Sequence, residues 1–269
     1  MKTIKLLLII LLAAVSGLYG YTAVSRSLTG SDIPPVLASD LDILEVSVHD
    51  DPTLLLTGLT ATDDQDGDLT ADIRVAGISK LINDNTAKVT YMVFDSDHNM
   101  TTLVRPVRYL DYTSPRFHIA EPLIYYRSET IELLDRLSAT DVIDGDITGS
   151  IRASDLNATS DPEIYLVACQ VTNSMGDTIY QELPVIRLDG NALRPEVHLQ
   201  EYLVYLKVGT AFDARSYLTG VSTADGPGHV SDVAVTGSVD TATPGTYMVQ
   251  YTYSLPTISG SSILTVVVE

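Results

Sequence analysis

Apolar and polar residues alternate with a period of two through most of this chain. In "YMVQYTY", Tyr247, Val249, Tyr251 and Tyr253 fall on one face, and in "YLVACQV" Tyr165, Val167, Cys169 and Val171 do the same. Successive side chains of an extended strand point to opposite sides, so this spacing predicts half-buried β-strands. The pattern breaks at the N-terminus, where "MKTIKLLLIILLAAVSGLYGYTAV" sets Lys2 and Lys5 ahead of an apolar run from Leu6 to Val15 and a softer tail ending at Val24. A basic start followed by an apolar core is the mark of an export signal. As a helix, Leu6 to Val24 covers roughly 28 Å, one hydrocarbon core. The expectation is an uncleaved signal anchor over residues 1–24, single-pass in the cell membrane with the C-terminus outside. The alternative is a signal peptide, with secretion after leader cleavage, since Val15 and Gly17 offer small residues before a cut.

The strand pattern itself recurs. Asp66-Gly67 returns as Asp144-Gly145 and once more as Asp225-Gly226, at nearly equal intervals. "KVTYMVFD" around Tyr91 aligns in the same register with "YLVACQVTN" around Cys169 and with "YMVQYTYS" around Tyr251. "RPVRYLDY" matches "LPVIRLDG", which brings Pro106 onto Pro184. The units read as 33–112, 113–191 and 192–269, after a stalk linker at 25–32. Cys169 thereby takes the place of an inward tyrosine, which makes it a packed apolar side chain and not a nucleophile. Pro106 and Pro184 interrupt the final strand of their units, where a missing N–H is tolerated at an edge or bulge, so that strand is expected to border its sheet.

Units of about 80 residues with turn signals every 8 to 12 residues predict antiparallel sandwiches, here without the Cys-Trp-Cys core of antibody domains. The expected fold class is all-β, three tandem immunoglobulin-like antiparallel β-sandwiches after an N-terminal hydrophobic helix. "SATDVIDGDITGSI", a strand ending in a turn such as "FDSDHN" or "TNSMGD", and a final strand ending "RLD" together resemble the bacterial immunoglobulin-like repeats of surface proteins, the DUF5011 and HYR-type group. The third unit, with "YLVYLKVGTAFDARSYLTGVSTADG" and "VDTATPGTYMVQYTYS", is similar to the same group, and the resemblance covers almost everything outside the N-terminal segment. It implies spacer or adhesive modules. Three such units end to end would reach roughly 100 Å.

Composition narrows the function. A formal charge of −19 leaves no basic surface for phosphate backbones, which argues against nucleic acid as a partner. With Cys169 the only cysteine, neither an intramolecular disulfide nor a cysteine metal cluster can form. The chemistry-bearing candidates are the acidic turns "ATDDQDGDLT" and "ATDVIDGDIT". Calcium takes six to eight oxygens, and Asp63, Asp64, Asp66 and Asp68 in the first copy and Asp141, Asp144 and Asp146 in the second are its candidate ligands. The EF-hand pattern fails, because Ile73 stands where its bidentate glutamate belongs. The third copy, "STADGPGHVS", keeps Asp-Gly and loses the flanking acids, which points to turn geometry as the shared feature. If calcium does bind the second copy, proximity to Asp111 would let it stiffen the joint between the first two units.

Catalysis finds little support. His49, His98, His118, His198 and His229 sit in dissimilar contexts, though His118 and His198 fall at matching places near the strand starts of the second and third units and read as equivalent strand residues. No Gly-x-Ser-x-Gly elbow, His-Glu-x-x-His or phosphate loop occurs in the sequence. "NMT" at Asn99 and "NAT" at Asn157 are sequons, and Tyr125, Tyr126, Tyr202 and Tyr205 are candidates for a sugar-stacking platform, although alternation turns at least one of each adjacent pair inward. The functional expectation is a non-enzymatic extracytoplasmic cell-surface protein acting as a spacer or structural stalk, held by its N-terminal helix. The alternative is an adhesin or binding module for a carbohydrate or another surface protein.

Overall fold

Val89, Tyr91 and Val93 are fully buried while Lys88 and Phe94 face solvent, the outcome that period-two alternation demands. The computed structural model describes residues 11–21, 33–83, 85–190 and 193–269. Its first sandwich comprises β1 (Val36–Ser39), β2 (Leu44–Val46), β3 (Leu59–Asp63), β4 (Gly67–Asp68), β5 (Arg74–Ile78), β6 (Thr86–Phe94) and β7 (Met100–Tyr109). One sheet runs β1-β3-β4 and the other β2-β7-β6-β5. Leu59, Ala61, Ile73, Val89, Tyr91 and Val107 meet between them.

The same plan returns twice. The second sandwich has β8 (Arg116–Ile119), β9 (Ile124–Tyr126), β10 (Leu137–Asp141), β11 (Gly145–Asp146), β12 (Arg152–Ala153), β13 (Asn157–Ala158), β14 (Ile164–Thr172) and β15 (Thr178–Leu188). Its sheets run β11-β10-β8 and β12-β14-β15-β9, with β13 on β14. The third has β16 (Glu196–Leu199), β17 (Leu203–Leu206), β18 (Leu218–Thr223), β19 (Gly226–Pro227), β20 (Ala234–Thr236), β21 (Gly245–Ser254) and β22 (Ser259–Val268), in sheets β16-β18-β19 and β17-β22-β21-β20. In each sandwich the long hairpin is antiparallel, and one short strand (β2, β9 or β17) adds to its second arm in parallel. Cys169 lies 1% exposed in the second core, at the station filled by Tyr91 and Tyr251 in the others.

The parallel addition corrects one expectation. β7 and β15 do not border their sheets along their whole length, because β2 and β9 cover their last three residues. The β2 ladder begins at Val107, just after Pro106, and the β9 ladder begins at Ile186, shortly after Pro184. The prolines thus sit on the stretch of flank that is still free, before the parallel strand joins, where no ladder partner loses a donor.

The membrane expectation is also corrected. Residues 11–21 are helical. Among the described residues no helix is long and apolar enough to cross a membrane, so the single-pass anchor is not supported. Residues 1–10 and 22–24 of that segment, and the linker at 25–32, lie outside the described residues.

The described residues divide into two compact units, one ending at Tyr112 and the other spanning Thr113–Glu269. Within the second unit the two sandwiches lie side by side, not end to end. β15 packs on β22, so that Ile186 and Leu188 cluster with Ile263, and Gln181 Nε2 donates to Thr246 Oγ1 at 2.9 Å. Arg116, at the start of β8, pairs with Glu269, just past the end of β22. The chain therefore returns beside its point of entry, and these two sandwiches extend one length and not two.

In the first core, β7 presents Arg105 where β15 and β22 present Leu183 and Leu264, yet Arg105 is 2% exposed. Its guanidinium donates to Ser39 Oγ at 3.0 Å, the carbonyls of Thr57 and Leu55 at 2.8 Å each, and Tyr91 Oη at 3.1 Å. A buried cation without an anion is tolerated only when oxygen dipoles take over its hydration, and these four oxygens do so for its two terminal nitrogens, while the buried Nε has no partner. They also fix the turn Pro52–Leu56 that leads into β3. Arg105→Leu supplies the side chain of the sister cores but strands those carbonyls, and is expected to lower stability by roughly 2–4 kcal/mol. Urea unfolding checks this; an unchanged midpoint would mean that the carbonyls find other donors.

Candidate functional site

β3 ends on Asp63 and β4 starts on Gly67, whose φ of 75° is the left-handed conformation that glycine adopts freely. Gly145, at φ 71°, does the same between β10 and β11. In the first turn Asp63 Oδ1 accepts the N–H groups of Gln65 and Asp66 at 2.9 Å, Asp66 Oδ2 accepts that of Ser96 at 2.6 Å, and Asp68 Oδ1 that of Thr70 at 2.9 Å. In the second, Asp141 Oδ1 accepts the N–H groups of Ile143 and Asp144 at 2.9 Å, Asp144 Oδ2 that of Ser174 at 2.6 Å, and Asp146 Oδ1 that of Thr148 at 2.9 Å. The two turns share one bonding scheme. Asp66 and Asp144 each tie the turn to the loop closing the long hairpin of the opposite sheet, so the acids join the two sheets of their sandwich.

The third turn holds its form by other means: Thr223 Oγ1 donates to the Gly226 carbonyl at 2.7 Å and accepts from the Asp225 N–H at 3.3 Å. The candidate calcium ligands are thus brought to two turns, where the bonds just described engage their oxygens with protein N–H groups. Among the described residues no set of three His, Cys, Asp or Glu side chains gathers as a metal site. Asp111 is engaged locally, its Oδ2 accepting Ser47 Oγ at 2.5 Å and its Oδ1 the Val48 N–H at 2.8 Å. The two turns differ in detail: Asp144 Oδ1 also accepts the Ser174 hydroxyl at 2.7 Å. Asp141 Oδ2 accepts Asn173 Nδ2 at 3.0 Å, whereas the buried Asp63 Oδ2 has no hydrogen-bond partner. Position 95, equivalent to Asn173, is a second aspartate, whose oxygens accept the N–H and Nδ2 of Asn99 at 2.8 Å.

The other candidates resolve into structure. His118 Nε2 meets Thr140 Oγ1 at 2.8 Å and His198 Nε2 meets Ser222 Oγ at 2.8 Å, the same cross-strand bond in successive sandwiches. Burial pushes the Cys169 thiol up to about 11, so it stays protonated at neutral pH. Asn99 is held by Asp95, whereas Asn157 is exposed in β13. Tyr125 and Tyr202 are buried. On the described sandwiches the strongly exposed rings are Phe94 at 47% and Tyr180 at 71%, one in each unit and not a platform.

A feature with no local sequence signal is a cleft of about 520 Å³ between the second and third sandwiches, bordered by Glu121, Tyr126, Glu129, Arg136, Glu196 and Tyr202. Arg136 is fixed there, donating to the carbonyls of Pro122 and Ile124 at 2.7 Å with its guanidinium 4.7 Å from the Tyr125 ring centroid. The cleft is within the volume range of small-ligand sites. Its walls come from segments far apart in the chain, so only the pairing of sandwiches creates it.

These sandwiches can be set against known proteins. Residues 200–257 match the family model described as bacterial surface protein, Ig-like domain. That match falls in the third sandwich and covers β17 through β21. No curated protein matches the chain. Among solved structures, the chain is similar to one of CBM51-2 in complex with GlcNAc and INT domains from Clostridium perfringens ZmpB, at 15% identity and TM-score 0.23 over 57% of this chain and 41% of that one. It is similar to the protocadherin GammaB4 extracellular domain at 14% identity and TM-score 0.21, over 88% of this chain and 50% of that one. For Drosophila N-cadherin EC1-4 the values are 12%, 0.23, 88% and 76%. This chain spans half or less of the first three solved chains it matches.

The acid response of the turns follows from their bonding. N–H donation from Asp66 and then Gln65 holds the Asp63 carboxyl below its ordinary value of 3.8, and the side chain and N–H of Thr70 and of Thr148 do so for Asp68 and Asp146. A folded-state value below the unfolded one gives stability that is present above about pH 4 and lost as pH falls through the lowered values. Melting temperature is expected to hold from pH 7 to pH 5 and drop below pH 4, with a shallower drop in the Asp63→Asn/Asp146→Asn variant, as circular dichroism scans would show.

Proposed function

We propose that this chain is a non-enzymatic extracytoplasmic surface protein built from three tandem immunoglobulin-like modules at 33–112, 113–191 and 192–269, and that it serves as a structural spacer. The modules are of the bacterial surface-repeat kind, all three resembling the DUF5011 and HYR type. The observation that carries this reading is the recurrence of one hydrogen-bond scheme, with Asp63 and Asp141 on their own turns and Asp66 and Asp144 bridging to Ser96 and Ser174. Carboxylates committed to backbone N–H groups are construction elements, and repeating them repeats a scaffold. The family match over residues 200–257 supports the surface setting.

A second reading rests on the cleft between the second and third sandwiches, where Glu121, Glu129, Glu196 and Arg136 ring a site of about 520 Å³. In this reading the pair is a binding module for a carbohydrate or a protein segment. Glycan-array and surface-protein pull-down assays with residues 33–269 separate the two. A spacer gives no saturable binding, whereas saturable binding lost in Arg136→Ala/Glu196→Ala would establish the module reading.

Calcium is part of the proposal only through Asp63 Oδ2, the buried carboxylate oxygen in the first turn that lacks a hydrogen-bond partner. Calorimetry with millimolar calcium against chelator is expected to leave the melting temperature unchanged if the turns are purely structural. A rise abolished by Asp63→Asn would instead assign a cation to the first turn.

A further inference from the structure

A repeat written for independent modules should bury one face of each strand. β15 and β22 bury both. Leu183 and Val185 fill the second core, yet the outward Pro184, Ile186 and Leu188 are buried as well. Leu264, Val266 and Val268 fill the third core, and the outward Ile263 and Thr265 are also covered. Leu203 of β17 belongs to the core cluster of the second sandwich, with Tyr205 and Val267 packed against it. The Tyr205 hydroxyl accepts the Phe117 N–H at 3.0 Å, capping the free edge of β8, while the Arg116 guanidinium lies 4.8 Å from the Tyr205 ring centroid and pairs with Glu269. At the other end Arg194 reaches both oxygens of Glu163, at 3.0 and 3.5 Å.

The first sandwich carries a different set at the same stations. Arg108, the counterpart of Ile186, is half-buried and pairs with Glu45 at 2.8 Å, and Leu110, the counterpart of Leu188, is 64% exposed. The aliphatic outward face is therefore specific to the second sandwich and matched to the third.

We infer that the third sandwich is the obligate cover of the second: residues 113–269 fold and open as one closed hairpin, and the boundary near residue 191 that the repeat marks is not a folding boundary. The interaction surface is the outward face of β15, and its partner is the outward face of β22 and β17 of the same chain. This goes beyond the spacer reading and holds for the binding-module reading equally.

The full chain tests it with nitroxide labels at Ser114→Cys and Gly245→Cys, which border one groove and take no part in the clamps; buried Cys169 does not compete for label. A hairpin places the labels within one sandwich length, about 33 Å, whereas an end-to-end pair sets them near two lengths, about 65 Å. Hydrogen exchange supplies the second arm. Ile263→Asp, which spares the third core, is expected to lower protection of β8 and β15 amides in the second sandwich at least tenfold, to about the level of local opening. Thr265→Val, which removes a buried hydroxyl lacking a partner, is expected to raise it. Labels two sandwich lengths apart, or β8 and β15 protection indifferent to both substitutions, would overturn the inference.

Discussion

A sandwich strand ordinarily has one face to bury, and the decisive feature of residues 113–269 is that β15 and β22 have two. Once the outward face of β15 is aliphatic, water must be kept from it, and only a second layer of similar size does that. The rest of this unit follows from that requirement. The chain turns back after β15, β17 comes to lie against the edge of β8, and the start of β8 meets the end of β22. The cleft opens between the two sandwiches, lined by residues of both.

The inside of each sandwich was legible in the sequence because it is a local pattern. Alternation around Tyr91, Cys169 and Tyr251 predicted the strands and the inward station of the thiol, and Asp-Gly marked a turn whose glycine takes positive φ in all three copies. His118 and His198, equated by spacing alone, make the same bond. The acidic turns were legible as landmarks, but their bonding was not, since the N–H groups of Ser96 and Ser174 belong to a distant hairpin of the opposite sheet.

What the sequence hid depends on contacts between distant segments. The pairing of the second and third sandwiches had a faint trace: "LPVIRL" and "SILTVVV" are apolar runs without alternation, the habit of strands covered on both sides, whereas the matching "VRPVRY" of the first unit carries two arginines. The prolines misled because a short strand adds beside them, too brief to announce itself. Arg105 gave no signal at all, since an arginine in a strand reads as outward until the carbonyls that surround it are known.

The three cores hold the loop before their third main strand with private donors: Arg105 in the first, the Tyr125 hydroxyl on the Glu132 carbonyl in the second, and the Tyr251 hydroxyl on the Ala214 carbonyl in the third. Tandem copies of related sequence invite recombination, which splices the front of one copy to the back of another. Here a hybrid that parts the first loop from Arg105, or the third from Tyr251, leaves carbonyls without their donor, at a penalty of about 1–3 kcal/mol for each that is shielded from water. Tyr125 precedes the loop it holds and travels with it, so the second module alone carries its own donor into any such exchange.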